Sequence, residues 1–345
     1  MTTGSAPVGG PAPRAEATDS AVADALRVDN LHVAFPTRDG LIPAVTGVSY
    51  RIARGRTLGI VGESGSGKSM TALAVLGLVP PPGRILQGTV RIGGDEISGL
   101  DEEAMTQVRG ARVAMIFQEP MTALNPVLTV GAQIGEAWSL HRGADAGEAR
   151  DAAIALLERV RIPEPSRRID DYPHQMSGGM RQRAMIAMAL AGQPEVLIAD
   201  EPTTALDVTT QAQIIELMAD IQADMGMAIQ FISHNLGVVS EIADDIAVMY
   251  AGRIVEYAPA VDVLGAPRHP YTRALIATVP RIGARMRRLP AIGGQVPHPL
   301  ALPPGCAFSD RCPLADAACN KAVPPLADTG HGHLVACIKA EEGRR

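Results

Sequence analysis

Residues 62 to 69 read Gly-Glu-Ser-Gly-Ser-Gly-Lys-Ser, a G-x-x-x-x-G-K-S spacing whose chemistry is the holding of phosphate. Gly62, Gly65 and Gly67 let the backbone bend so that its N–H groups face inward at an anion. A helix opening near Lys68 adds its positive dipole end. Lys68 is placed to reach the β- and γ-phosphates and Ser69 to put its hydroxyl on Mg²⁺. Gly62, Ser64, Gly65, Gly67, Lys68 and Ser69 are therefore the candidate nucleotide and metal contacts, and the chemistry implied is the binding of a nucleoside triphosphate.

A second constellation is Val196-Leu197-Ile198-Ala199-Asp200-Glu201-Pro202, an apolar strand that ends in two acids. Asp200 at the strand tip can hold Mg²⁺ directly or through water. Neighbouring strand residues face opposite ways, so Glu201 is left to orient and deprotonate a water as a general base. A third is the turn Ser177-Gly178-Gly179 at the start of a helical run, another exposed helix N-terminus suited to a phosphate.

The elements that must position these groups follow from the apolar patterning. Leu58 to Val61, Val113 to Phe117, Val196 to Ala199 and Ala228 to Ile232 read as buried core strands alternating with helical patterns. Asp145 to Ile162 carries Ala149, Ala152, Ala153, Leu156, Leu157 and Val160 at three- and four-residue spacing, an amphipathic helix with one packing stripe. The expected fold is α/β with a mostly parallel sheet. A length of 345 residues fits a large α/β domain plus an addition, and 46% hydrophobic content supports a core. A net charge of −6 argues against a general nucleic-acid binder. No apolar stretch reaches the roughly 18 to 20 residues of a bilayer span.

Residues 1–24, rich in Ala, Pro, Gly and Thr and lacking a signal-peptide order, read as a disordered tail of a cytoplasmic protein. The charged, Pro-rich segment from Val279 to Pro304 separates the bulk of the chain from a cysteine-bearing end.

Val61 to Ser69, Gln118, Ser177 to Gln182, Asp200-Glu201, Ala205-Leu206-Asp207 and His234 occur in the order of the ATP-binding-cassette ATPases, which the chain resembles over about residues 26 to 262. Met176-Ser177-Gly178-Gly179-Met180 in place of the family's usual Leu-Ser-Gly-Gly-Gln, and Phe117-Gln118-Glu119-Pro120, resemble the subunits that drive peptide import. The resemblance implies a P-loop NTPase core over 25–262 with a small antiparallel β subdomain and a helical subdomain inserted at about 121–190, followed by an oligopeptide/dipeptide-transporter extension over 263–345. It further implies that two ATPases sandwich ATP head to tail, so that Ser177, Gly178 and Gly179 of one chain contact the nucleotide of the other. In that arrangement Gln118 touches Mg²⁺ or water, His234 bonds the γ-phosphate, Asp207 contacts the dimer partner, and Phe35 is the candidate to stack on adenine.

All four cysteines follow residue 305, at Cys306, Cys312, Cys319 and Cys337. Disulfides are rare in a reducing cytoplasm, which leaves Zn²⁺, an iron–sulfur cluster or free thiols. The two C-x2-C knuckles of a zinc ribbon are missing. The segment resembles the C-terminal extension of oligopeptide and dipeptide transporter ATPases, some of which carry a four-iron, four-sulfur cluster, and His269-Pro270-Tyr271-Thr272 resembles it too. His331 and His333 beside Cys337 keep a mixed Cys/His zinc site open.

The reading reached is an ATP-hydrolysing subunit on the cytoplasmic face of a membrane, energising import of di- or oligopeptides. Its implied partners are two membrane-spanning permeases gripped near Gln118, a second, paralogous ATPase and an extracytoplasmic solute-binding protein, with no nucleic acid. The alternatives are a nucleic-acid-handling cassette and an ATP-binding regulatory subunit. The short stretch from Gln118 to Ser177 has no room for the long coiled coil of the former, and Glu201 with His234 speaks against the latter.

Overall fold

The computed structural model describes residues 24–119, 123–204, 206–279 and 291–340. The expected N-terminal tail, the Pro120-Met121-Thr122 stretch, Ala205 and residues 280–290 of the proposed boundary lie outside them, although Asp24 already belongs to the first strand.

Strands β1 (Asp24–Thr37), β2 (Gly40–Ala53), β4 (Arg84–Ile92) and β5 (Asp95–Glu96) form an antiparallel sheet in the order β2-β1-β4-β5. The second sheet contains β3 (Thr57–Val61), β6 (Val113–Ile116), β7 (Val196–Asp200), β8 (Ala228–Ser233) and β9 (Asp245–Tyr250), paired in parallel in the order β9-β3-β8-β7-β6. It continues through antiparallel β10 (Arg253–Pro259), β12 (Leu334–Val335) and β11 (Ala327–Asp328).

Every residue of β3, β7 and β8 is buried, which is why these strands read as unbroken apolar runs. Alternate side chains enter two cores. Leu197, Ala199, Ile229 and Phe231 pack with Leu156, Ile186, Ile215 and Met218. Val196, Ile198, Ala228 and Ile232 face Leu26, Val45, Tyr50 and Ala72.

Helix α1 (Lys68–Val75) follows β3, and α2 (Glu102–Val108) precedes β6. Then come α3 (Val130–Arg142), α4 (Ala146–Arg159), α5 (Pro165–Arg168) and α6 (Gly178–Leu190), which pack on one another as the helical subdomain. Asp145 and Glu148 close a reciprocal capping box at the start of α4. That helix stops short of Ile162, because the chain turns through Arg161 at φ 59°. Strand β6 likewise ends at Ile116: it is the outermost strand, and Phe117 leaves the sheet 41% exposed. The remaining helices are α7 (Val208–Met225), α8 (Leu236–Val239), α9 (Ala260–Gly265) and α10 (Pro270–Ala277).

The cysteine-bearing segment is knitted to the cassette at two places. Strand β12 pairs with β10, and the ring of Phe308 sits edge-on to Tyr250 and Tyr271 with centroids 5.3 and 5.4 Å away. Beneath it, the buried Glu256 carboxylate accepts the backbone N–H groups of Arg268 and His269 and lies 2.6 Å from His333 Nε2. Because Phe308 is 1% exposed, Phe308→Ala is expected to cost about 3 to 5 kcal/mol of stability. The check is a lowered denaturation midpoint with an unchanged denaturant slope.

Candidate functional site

The 62–69 loop, Gln118, the two acids and His234 all leave the sheet at the carboxyl ends of its parallel strands, the edge where open α/β sheets place their sites. The 62–69 loop follows β3, Gln118 follows β6, Asp200 ends β7 with Glu201 next, and His234 follows β8.

The loop is tightly packed from behind. A methyl group on Gly67, at φ 98°, would stand 2.6 Å from the Ala44 carbonyl oxygen, so only glycine lets the loop lie against β2 and turn into α1. Lys68, 5% exposed, opens α1, and its Nζ donates to the carbonyl oxygens of Gly62 (2.8 Å) and Glu63 (3.1 Å). Burial pulls its ammonium below the usual lysine range, against the carboxylates of Glu201, Asp200 and Glu63.

Ser69 Oγ donates to Asp200 Oδ1 at 3.0 Å. Burial raises the Asp200 carboxyl above its usual range, partly opposed by that hydrogen bond. A hydroxyl and a desolvated carboxylate side by side are hard oxygen donors, a pair that suits Mg²⁺.

Glu201 gathers three of the predicted or neighbouring groups on one oxygen. Its Oε2 lies 3.2 Å from Gln118 Nε2, 3.0 Å from His234 Nδ1 and 2.9 Å from the donating Thr204 hydroxyl. Among the described residues, Oε1 accepts no hydrogen bond. The backbone of Glu201 is held at φ 49°, with its N–H bonded to the Ile232 carbonyl. A non-glycine residue there is strained, and the strain turns the side chain out of the strand toward Gln118 and His234. Asp200 goes the other way, toward α1, so the two acids diverge as expected, although the left-handed turn at Glu201, just past the end of β7, and not strand alternation, separates them.

The Ser177-Gly178-Gly179 turn is in a separate cleft. Ser177 caps α6 by accepting the Met180 N–H, and the cleft of about 460 Å³ is lined also by Arg161, Arg183 and Asp207. None of the 62–69 loop lines it. Asp207 caps α7 through Thr210 N (2.9 Å) and Thr210 Oγ1 (2.7 Å), bonds that hold its carboxyl below the usual range. Phe35 is half-buried on β1, where its ring covers Gly83.

Cys306, Cys312, Cys319 and Cys337 line a single cavity together with His269, Phe308 and Lys339. None of the four is joined in a disulfide. Burial pushes Cys337 up to about 11 and Cys306 and Cys312 above their usual range. His333 does not line this cavity, because it is spent on Glu256; the mixed Cys/His arrangement considered from sequence is not what the fold builds. His269 lines it instead, although its Nδ1 accepts the Tyr271 N–H to cap α10 and burial pulls it down to about 3. Among the described residues, no group of three or more His, Cys, Asp or Glu is arranged so that it could hold a metal ion.

Sequence reasoning missed Thr204, Tyr271 and Arg311. Tyr271 lies in the noted His-Pro-Tyr-Thr run, but nothing in the spacing says that its hydroxyl meets the phosphate loop at Glu63 N. Arg311 precedes Cys312 and clasps the Glu63 carboxylate with two bonds of 3.1 Å.

Residues 45–204 match the ABC transporter family, and residues 255–319 match the oligopeptide/dipeptide transporter C-terminal region. A putative peptide import ATP-binding protein of Brucella abortus is 51% identical over 305 residues, covering 88% of this chain and 92% of the relative. Another from the same organism is 50% identical over 329 residues, covering 92% and 97%. Among solved structures, a dimeric ATP-binding cassette in a post-hydrolysis state with ADP and Pi has a TM-score of 0.61 at 28% identity, covering 68% of this chain and 98% of that one. The cbiO1 protein of Clostridium perfringens, part of an ABC transporter complex, has a TM-score of 0.61 at 25% identity, covering 70% and 91%. A mixed sheet with the phosphate loop, the Asp-Glu pair and the Ser-Gly-Gly helix cap in these positions, joined to that C-terminal region, places the chain in the ABC transporter family as an ATPase of its oligopeptide/dipeptide branch.

Proposed function

We propose that this chain hydrolyses ATP to energise import of di- or oligopeptides or related solutes through separate membrane-spanning subunits. The observation that carries the hydrolytic part is the convergence of Gln118, His234 and Thr204 on Glu201 Oε2, beside the Ser69–Asp200 pair. Three partners fix the carboxylate, and Oε1 is left to accept a proton from an attacking water. Lys68 and the loop N–H groups hold the phosphates. Mg²⁺ on Ser69 and Asp200 would supply charge neutralisation as the terminal phosphoryl group separates.

The separation of the Ser177 turn from the phosphate loop supports a site shared between two ATPases, each capping the other's nucleotide with a helix N-terminus. A second, paralogous chain is the proposed mate, and Asp207 sits at the rim of that contact. Stacking of adenine on Phe35 remains part of the proposal. The groove of about 200 Å³ lined by Leu78, Met115, Phe117, Ala137, His141 and Met188 suits a short helix of a permease, because its lining is mostly apolar and includes Phe117, the residue before Gln118. Among the described residues no helix is long and apolar enough to cross a membrane, so the permeases are separate subunits in this reading, with an extracytoplasmic solute-binding protein to choose the cargo. The cytoplasmic face is where ATP is available.

For the cysteine cavity we propose an iron–sulfur cluster of the four-iron, four-sulfur type, with zinc as the competing occupant. Four sulfurs around one cavity match four thiolate ligands, and a metal would supply the positive charge that buried thiols with raised pKa values need in order to ionise.

Glu201→Gln is expected to keep ATP binding while lowering hydrolysis by at least about 100-fold, because it removes a general base and little else. Turnover near the wild-type rate would remove Glu201 from that role. Replacing Ser177 and Gly179 together should abolish hydrolysis by the assembled pair and leave ATP affinity of the isolated chain within about twofold, since this turn acts on the partner's nucleotide. Anaerobically purified protein should contain iron and acid-labile sulfide in equal amounts; zinc with no iron would establish the competing occupant.

A further inference from the structure

Glu63 comes directly after the first glycine of the phosphate loop, and it is held at three points. Its carbonyl oxygen accepts from Lys68 Nζ at 3.1 Å, its N–H donates to the Tyr271 hydroxyl at 2.9 Å, and its carboxylate takes both terminal nitrogens of Arg311 at 3.1 Å. The last two partners lie 208 and 248 residues downstream, in the C-terminal region.

Arg311 is built into this position. Its side chain is 4% exposed, its guanidinium carbon is 5.8 Å from the ring centroids of both Tyr250 and Phe308, and it donates to the Tyr250 hydroxyl at 3.2 Å and the Gly293 carbonyl at 2.8 Å. A planar guanidinium pinned against two rings presents its paired N–H groups in one direction, and the Glu63 carboxylate takes them both. The short helix Ser309–Arg311 that carries it leads directly into Cys312.

We propose that Arg311 and Tyr271 are positioning residues for ATP binding, setting the phosphate loop and the Lys68 ammonium through Glu63. The C-terminal region thereby determines in cis how tightly the chain holds its nucleotide. This rests on the assignment of residues 62–69 to the phosphates, so the test separates the two claims. Purified full-length chain is titrated with MgATP by calorimetry, and KM and kcat are measured on the assembled pair. Lys68→Ala should abolish binding, and if it does not, the assignment of the loop itself fails.

Arg311→Met and Glu63→Gln are each expected to weaken ATP binding and raise KM by about tenfold while kcat stays within about twofold, since loop placement is lost but the base is untouched. The double variant should be no worse than either single one, because both break the same contact. Arg311→Lys should recover part of the loss, and Tyr271→Phe should raise KM by about threefold through the unpaired Glu63 N–H. Should Arg311→Met fail to fold, Glu63→Gln and Tyr271→Phe decide the matter. Wild-type ATP affinity in those two variants, or losses in Arg311→Met and Glu63→Gln that multiply in the double variant, would overturn the proposal.

Discussion

A triphosphate carries several negative charges on one small group, and a protein can hold it only with donors already aimed at it. The 62–69 loop supplies those donors from the end of β3, a strand with no exposed residue, so the loop starts from a rigid base. Its shape then depends on what is packed behind it. Gly67 lies against the Ala44 carbonyl, and Glu63 is tied to Arg311 and Tyr271. The rest of the site is arranged with respect to this loop: Asp200 reaches Ser69 from the strand two places away in the sheet, and Glu201 turns to the opposite side.

The end of β7 explains how two consecutive acids acquire different chemistry: Asp200 is its last residue and Glu201 the first beyond it. Asp200 follows Val196 and Ile198 toward α1 and becomes a buried oxygen donor. Glu201 takes a left-handed turn and meets side chains from the ends of β6 and β8, so its carboxylate is oriented by groups from two other strand ends. One chain does not bring its Ser177 turn to this place. The helix N-terminus offered there opens into a different cleft, lined also by Arg161, Arg183 and Asp207.

The C-terminal region is continuous with the cassette in physical terms. A strand added to the sheet, a buried Glu256 satisfied by two backbone amides and His333, and the rings of Tyr250, Tyr271 and Phe308 bind it to the face below the phosphate loop. The same 3-10 turn that ends at Cys312 presents Arg311 to Glu63, so the cysteine cavity and the phosphate loop share a structural element.

Local chemistry was readable directly from the chain. The loop glycines, Lys68, Ser69, the acids at the end of an apolar strand, the Ser177 cap and the clustering of the cysteines all rest on spacing over a few residues, where covalent geometry dictates what can be neighbours. Helix α4 was legible for the same reason, apart from its last turn, which Arg161 ends by a backbone conformation that apolar periodicity does not encode. Other features depend on contacts between residues far apart in sequence. That His333 serves Glu256 and not the cysteines, that His269 enters their cavity, that Thr204 joins Gln118 and His234 on one oxygen, and that Arg311 reaches back to Glu63 are consequences of strand order and of which faces pack together. Spacing along a chain carries no record of those distances; the folded sheet decides them, because burial of a charge or a hydrogen-bonding group obliges it to find whichever partner the packing has brought near.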